Sequence, residues 1–136
     1  MAQISFDALV ARRAQREADK TRMGIIKIPD TGDTLACIQP SETRMMEIYA
    51  GFQGAQDASD LLPVVDRALY HCCPDLQNRK LHEAIGVVDP FDVVPALFSI
   101  PERDKMGGDL FRFLGLLPPL EHEDEAPFEA ENPAKN

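Results

Sequence analysis

The chain has 136 residues, 44% of them hydrophobic, which suits one domain with a modest core. Its formal net charge of −9 argues against nucleic-acid binding, because contacts to phosphate groups need the opposite sign. Since no apolar run approaches the roughly 20 residues of a membrane-spanning helix, and the first residues carry charges where a signal peptide has its apolar stretch, we expect a soluble cytoplasmic protein that binds no membrane.

The first predicted element is a helix over residues 5–22, within an N-terminal helical segment 1–24. It has a short apolar patch at Phe6, Leu9 and Val10, and only alanines as apolar residues beyond this patch. A helix that is polar on every side is either solvated or waiting for a partner, and both interpretations stay open. If the helix binds a partner, the candidate contact residues are Arg12, Arg13 and Arg16.

The pattern changes to a two-residue period over residues 25–39, which predicts a β-hairpin. Ile26 and Ile28 alternate in the first strand, Leu35 lies in the second, and Gly32 supplies the positive φ of the turn between them. A lone hairpin is marginal in water, so this one must pack on the helices.

Residues 41–117 carry the pattern of a helical core. Ser41 is positioned to cap its first helix. The predicted apolar face of that helix comprises Met45, Ile48, Tyr49 and Phe52. Either Asp57 or Asp60 caps the next helix, and Pro63 fits the first turn if Asp60 is the cap. The apolar stripe of this second core helix comprises Leu61, Val65, Ala68, Leu69 and Cys72.

A short third core helix is predicted over residues 76–85. Pro74 ends the helix before it, because proline lacks the backbone N–H that a continuing helix needs. Gly86 is the stop signal of the short helix. The expected apolar face comprises Leu81, Ala84 and Ile85.

A fourth core helix is predicted over residues 90–98. Asp89 caps it, Pro90 suits its first position, and Asp92 adds a capping carboxylate at the positive helix end. Pro95 deletes a backbone hydrogen bond, so it bends or shortens this helix. The apolar residues are Phe91, Val94, Leu97 and Phe98.

The last predicted helix begins at Ser99, which forms a capping box with Glu102. Gly107 and Gly108 each cost about 1 kcal/mol against alanine in the middle of this helix, so it depends on packing. Gly115 is its stop signal. The apolar residues are Met106, Leu110, Phe111, Phe113 and Leu114. The predicted fold class is therefore mainly α: a domain of about six helices over residues 1–117, with one β-hairpin near its N-terminus.

Residues 118–136 are rich in proline and glutamate and contain one aromatic residue, Phe128, which predicts an acidic disordered tail. This segment contrasts with residues 1–27, where six basic side chains outnumber three acidic ones. The two ends either attract each other, within or between chains, or are solvated independently. Independent solvation is favoured, because salt screens exposed charges beyond about 8–10 Å.

Catalytic and metal-binding signals are weak. There is no Gly-rich phosphate loop, Cys-x-x-Cys pair or His-Glu-x-x-His helix. Cys72 and Cys73 point about 100° apart on a helix and cannot both face one metal ion, so we expect one core thiol, Cys72, and one boundary thiol, Cys73. His82 is expected at the surface. We predict no catalytic residue, metal site or cofactor, and an odd count of three cysteines fits a reducing compartment.

Four further side chains are candidates for partner binding, and each has a more ordinary interpretation. Met45 and Met46 resemble the adaptable methionines of binding faces, although such residues more often fill cores. Phe91 and Phe98 lie on the predicted apolar rim of the fourth core helix.

The order of signals from Cys73 to Phe98 resembles the XkdN-like tail assembly chaperones of long-tailed bacteriophages. The pattern reads Cys-Pro-Asp-Leu at 73–76, Leu at 81, Ala-Ile-Gly at 84–86, Asp-Pro-Phe-Asp-Val-Val at 89–94 and Leu-Phe at 97–98. The front of the chain is similar in style, with an Arg/Lys-rich first helix, a hairpin with a Gly turn and a helix start at Pro40-Ser41. The resemblance covers about residues 5–117.

This resemblance implies a protein that is not an enzyme, acts in the bacterial host cytoplasm and is absent from the mature virion. Relatives of this kind bind the tape measure protein, a very long and largely helical chain that sets tail length. They are thought to keep it soluble and to help tail tube subunits polymerise around it. The expected partner is therefore the tape measure protein, with the tail tube protein and self-association as further candidates.

Two other classes of function stay open. One is a structural or tail-completion component of the virion, which purified virions would contain in abundance. The other is a small enzyme or metal protein that uses the carboxylates Asp89 and Asp92 or the cluster at residues 71–73. Helix capping explains both carboxylates without an active site.

Overall fold

A computed structural model describes residues 3–119 of the chain. The predicted fold class is confirmed: within these residues, six α-helices accompany one antiparallel β-hairpin near the N-terminus. The elements are α1 (Phe6–Lys20), β1 (Met23–Lys27), β2 (Thr34–Ile38), α2 (Glu42–Gly54), α3 (Ala58–Cys72), α4 (Arg79–Ile85), α5 (Val93–Leu97) and α6 (Ile100–Phe113). The predicted disordered tail lies outside the described residues from residue 120 onward.

The hairpin lies against α6 through a close backbone approach. Strands β1 and β2 pair with Met23 opposite Ile38 and Lys27 opposite Thr34, and Gly32 in the turn has φ 78° as predicted. A Cβ atom at Gly24 would lie 2.5 Å from Cδ1 of Phe113, so only glycine lets the aromatic ring lie this close to the strand. The hairpin side chains buried in the core are Ile26, Leu35 and Cys37.

The centre of the core is the contact between α3 and α6. Gly107 of α6 faces Val65 of α3, and a Cβ atom at residue 107 would lie 2.8 Å from both Val65 methyl groups. Beside this contact, Arg103 donates a 2.7 Å hydrogen bond from Nη1 to Oδ2 of Asp66, and both side chains are largely buried. The largest fully buried side chains are Phe111, Ile26, Leu69, Leu76, Met106, Leu110, Val93 and Val94.

Most predicted helix ends are confirmed by local hydrogen bonds. Ser41 Oγ accepts from the backbone N–H of Arg44 at 3.2 Å, and the Ser99 capping box with Glu102 is complete. Asp57, not Asp60, caps α3, so Pro63 lies beyond the first turn of that helix. The predicted glycine stops have positive φ, with 77° at Gly86 and 83° at Gly115. Tyr49 was predicted on the apolar face of α2 but is exposed, whereas Ile48 is buried.

The single helix predicted over residues 76–85 is divided in two. A 3-10 turn over Pro74–Gln77 precedes α4, and Asn78 between them has an extended backbone and caps α4 by accepting from the Lys80 N–H at 2.8 Å. Of the expected apolar face, Leu81 packs partly buried against the core. Ala84 and Ile85 are exposed, and Leu76 in the 3-10 turn is the buried residue instead.

The helix predicted over residues 90–98 is also shorter than expected. A 3-10 turn over Pro90–Asp92 precedes α5, which has five residues. Pro95 is the third residue of α5, where an N–H group has no partner within the helix, so the late start of α5 lets the proline fit without deleting a helical hydrogen bond.

Asp92 lies in the first turn before α5, as predicted, but it does not cap the helix through a hydrogen bond. Its side chain makes no capping hydrogen bond, because its backbone is already helical, at φ −77° and ψ −8°, as part of the 3-10 turn. A side chain usually caps from an extended backbone, as Asp89 does when its Oδ1 accepts from the N–H of Phe91 at 3.0 Å.

We predict opposite effects for two neighbouring glycines of α6. Gly107→Ala should lower the free energy of unfolding by about 1–3 kcal/mol, because the added methyl group overpacks against Val65. Gly108→Ala is the matched control. Its Cβ would meet only the mobile end of Arg112, at 3.3 Å, so we expect stability unchanged or raised by up to about 1 kcal/mol. Urea denaturation of both variants measures this, and equal effects would contradict the close approach of the helices.

A second pair of variants separates the two carboxylates. Asp89→Ala should cost about 0.5–2 kcal/mol of stability because it removes a cap. Asp92→Ala removes an exposed side chain with no capping bond and should change the free energy of unfolding far less. Chemical denaturation with both variants at the same pH checks the difference, and a larger loss for Asp92→Ala would refute the assignment.

Candidate interaction surface

Within the part of the chain that the structure describes, none of the side chains of α1 is buried. Its apolar residues face outward: Phe6 is 78% exposed, Leu9 53% and Val10 57%. Ile4, just before the helix, is half exposed as well. Four exposed apolar side chains close together in sequence form an apolar patch, and such patches on a folded protein mark interaction sites. We call Ile4, Phe6, Leu9 and Val10 the α1 patch.

Local chemistry keeps α1 helical without a core face. Ser5 Oγ accepts from the backbone N–H of Ala8 at 3.1 Å, so the first turn is capped. Lys20 in the last turn donates to Glu17 at 3.1 Å, and its charge suits the negative helix end. Isolated helices of about 12–15 residues are marginal in water, so α1 depends on these caps and on its attachment to the body.

The attachment lies at the C-terminal end of α1. Arg22, just beyond the helix, donates from Nη2 to the backbone oxygen of Phe113 at 2.6 Å, and its guanidinium lies 4.6 Å from the centre of the Phe113 ring. One turn before the C-terminal end of α1, Arg16 lies 3.8 Å from Glu42 of α2. Since both Arg16 and Glu42 are well exposed, this ion pair adds little stability.

An open cleft of about 450 Å³ lies between α1 and the start of α2. The residues that line it are Arg16, Lys20, Gln39, Pro40, Ser41, Glu42, Met45 and Leu114. The walls carry basic and apolar side chains and one carboxylate, that of Glu42, so the cleft suits a segment that carries charged and apolar side chains together.

The structure brings some of the predicted contact residues together and separates others. Arg12 and Arg13 are exposed on α1, and Arg16 shares the cleft with Met45. Met46, the neighbour of Met45, is exposed on α2 but does not line the cleft.

Phe91 and Phe98 do not line the cleft either. Phe98 packs partly buried against the core. Phe91 stacks edge-on against Tyr70 at 5.1 Å and His71 at 5.5 Å, under the guanidinium of Arg67 at 4.4 Å.

The α1 patch was visible in the sequence as an apolar stretch. It becomes a candidate interaction site only because the structure leaves all four of its side chains exposed.

The sulfur and imidazole groups lie in the body of the fold. Cys37, Cys72 and Cys73 are all buried, so the expectation of a boundary thiol at Cys73 is wrong. The 3-10 turn over Pro74–Gln77 packs on α3, and β2 packs on that turn. Burial raises the pKa of the Cys72 thiol to about 12, and that of Cys73 rises for the same reason, so both are protonated at neutral pH. No cluster of His, Cys, Asp and Glu within residues 3–119 has an arrangement that could hold a metal ion.

His82 is partly buried, in contrast to the predicted surface position. Its Nε2 lies 2.7 Å from the backbone oxygen of Leu76, which ties α4 to the preceding 3-10 turn. The ring stacks at 6.2 Å on Tyr70 of α3. This histidine therefore joins two elements of the fold.

Comparison of the chain with protein-family models, with curated proteins and with solved structures finds no match. None of the helices in residues 3–119 has the length and apolarity needed to cross a membrane. The interpretation of the α1 patch therefore depends on the geometry of this chain and on its sequence pattern.

The environment of His71 generates a prediction about pH. Burial, and then the positive charge of Arg44, lower the pKa of His71 below its usual value. The unfolded chain therefore binds this proton more readily, and the stability that neutral His71 provides is complete above about pH 6.5 and lost as pH falls below it. We expect the free energy of unfolding to fall less from pH 7.5 to pH 5.5 in His71→Gln than in the wild type. Identical losses in urea titrations would show that His71 titrates normally in the folded state.

Proposed function

We propose that the protein is a phage tail assembly chaperone that binds the tape measure protein of its phage in the host cytoplasm. The observation that carries this proposal is the α1 patch: α1 buries no side chain of its own and exposes Phe6, Leu9 and Val10. Apolar surface that the fold itself leaves uncovered is suited to another chain.

The chemistry of the expected partner fits this surface. A very long, largely helical chain has an apolar stripe along each helix, and before assembly this stripe is exposed to water and prone to aggregate. A helix with an apolar patch can lie along such a stripe with the side chains of both helices interleaved. Binding of this kind is stoichiometric and needs no catalytic residue.

The sequence pattern supports the same proposal. The motif residues of the resemblance have the local roles that their types suggest: Pro74 begins the turn after α3, Gly86 ends α4 and Asp89 caps the turn before α5. The order and spacing of the motif residues therefore set where the turns lie and where α4 and α5 begin and end. The α1 patch, outside this motif, is left to bind the partner.

Co-expression with the tape measure protein tests the proposal. We expect the wild type to raise the soluble yield of that protein and to form a complex that survives size exclusion in moderate salt, because the contact is mainly apolar. The double variant Phe6→Ser, Leu9→Ser should melt like the wild type, since neither side chain is buried, and should lose the complex. Val88→Ser is the control, because Val88 is 97% exposed outside α1.

Two results would refute the proposal. The first is a tape measure protein that stays equally insoluble with and without this chain. The second is abundant copies of this chain in mass spectra of purified virions, which would favour a structural or tail-completion component instead.

A further inference from the structure

One face of α1 changes in character along its length. Phe6, Leu9, Val10 and Arg13 follow one another at helical spacing, and Arg16 and Lys20 continue the same face. The N-terminal half of this face is therefore apolar, and the C-terminal half is basic. A segment that binds along the whole face needs acidic residues at one end and an apolar side chain at the other.

The basic half of this face has few partners within residues 3–119. Neither Arg12 nor Arg13 forms an ion pair with a carboxylate there. Arg16 has a distant contact of 3.8 Å with Glu42, and Lys20 pairs with Glu17 on the same helix. The exposed guanidinium groups are therefore available to further carboxylates.

The last helix of the described chain, α6, ends beside this basic half. Phe113 is held by Arg22 through both the 2.6 Å hydrogen bond and the stacked guanidinium. One residue later, Leu114 lines the same cleft as Arg16 and Lys20. Leu116 and Leu117 then pack partly buried against the core. The chain therefore leaves α6 close to the C-terminal end of α1.

The residues that follow have the complementary order. Four acidic residues come first, Glu121, Glu123, Asp124 and Glu125, and then the aromatic Phe128. Going back along α1 from Lys20, the basic side chains come first and the α1 patch second. The distance from Lys20 to Phe6 is about 21 Å along the helix, and nine extended residues from 119 to 128 span about 30 Å. The segment is long enough.

We propose that residues 120–136 of the same chain bind along α1, antiparallel to it. The carboxylates of residues 121–125 contact Lys20, Arg16 and Arg13, and the ring of Phe128 lies on the α1 patch. The composition of this segment gives it no core of its own, so α1 serves as its template. This proposal does not need the function proposed above, because no phage component enters it. If both hold, residues 120–136 occupy the α1 patch until a partner chain displaces them.

The absence of tryptophan from the chain allows a direct test. In Phe128→Trp, the single tryptophan reports the surroundings of residue 128. We expect its emission in low salt to be blue-shifted from that of a peptide of residues 118–136 with the same substitution. High salt should remove this shift, because it screens exposed ion pairs. The shift should not depend on protein concentration.

Charge reversal on α1 provides the matched comparison. Arg13→Glu with Arg16→Glu in the Phe128→Trp background should abolish the blue shift. Arg79→Glu with Lys80→Glu makes the same change in charge on exposed residues of α4 and should leave the blue shift in place. Circular dichroism checks that both double variants keep their helices.

Cross-linking of the unmodified protein provides a second measurement. A zero-length carbodiimide reagent should join Lys20 to a carboxylate of residues 121–125 within the monomer, as read by mass spectrometry. Emission equal to that of the peptide in low salt, or a blue shift that survives the α1 reversal, would overturn the proposal. A shift that disappears on dilution, with the cross-link only in dimers, would also overturn it and would assign the contact to a second copy.

Discussion

The fold depends on the close approach of α3 and α6 at Val65 and Gly107. Glycine removes the side chain that would keep the helices apart, and the Arg103–Asp66 pair spans the same contact at 2.7 Å. Burial raises the pKa of Asp66, although Arg103 opposes this shift. The ion pair is therefore partly desolvated, and removing either side chain would leave the other as an unpaired, partly buried charge. The other layers are built on these helices: α2 approaches α3 through Gly51, and the hairpin lies on α6.

Helix ends were predictable from the sequence because they depend on chemistry within a few residues. Ser99 and Glu102 form their capping box wherever the helix lies, and Gly86 stops α4 by its own positive φ. Packing was less predictable. The sequence shows the cost of Gly107 in a helix but not the facing Val65 that makes glycine necessary. It also does not show that a second layer covers Cys73.

The interaction surface was predictable in part, for a related reason. Periodicity indicates that α1 lacks large apolar residues after Val10, and the exposure of Arg12 and Arg13 follows from that pattern. Exposure of the α1 patch itself depends on how the hairpin and α2 leave the helix uncovered, which is tertiary information. Phe91 was predicted as a contact residue too, but it packs within the fold against the aromatic rings of Tyr70 and His71 of α3.

The central claim is that α1 is a helix held by its ends and not by a buried face. Amide hydrogen exchange of the isolated protein, resolved by residue, tests this claim most directly. We expect the amides of Leu9 to Glu17 to exchange by local opening, far faster than those of Ala68 or Leu110, which open only with global unfolding. Protection of the α1 amides equal to that of α3 and α6 would show that the helix is part of the cooperative core, and would contradict the account.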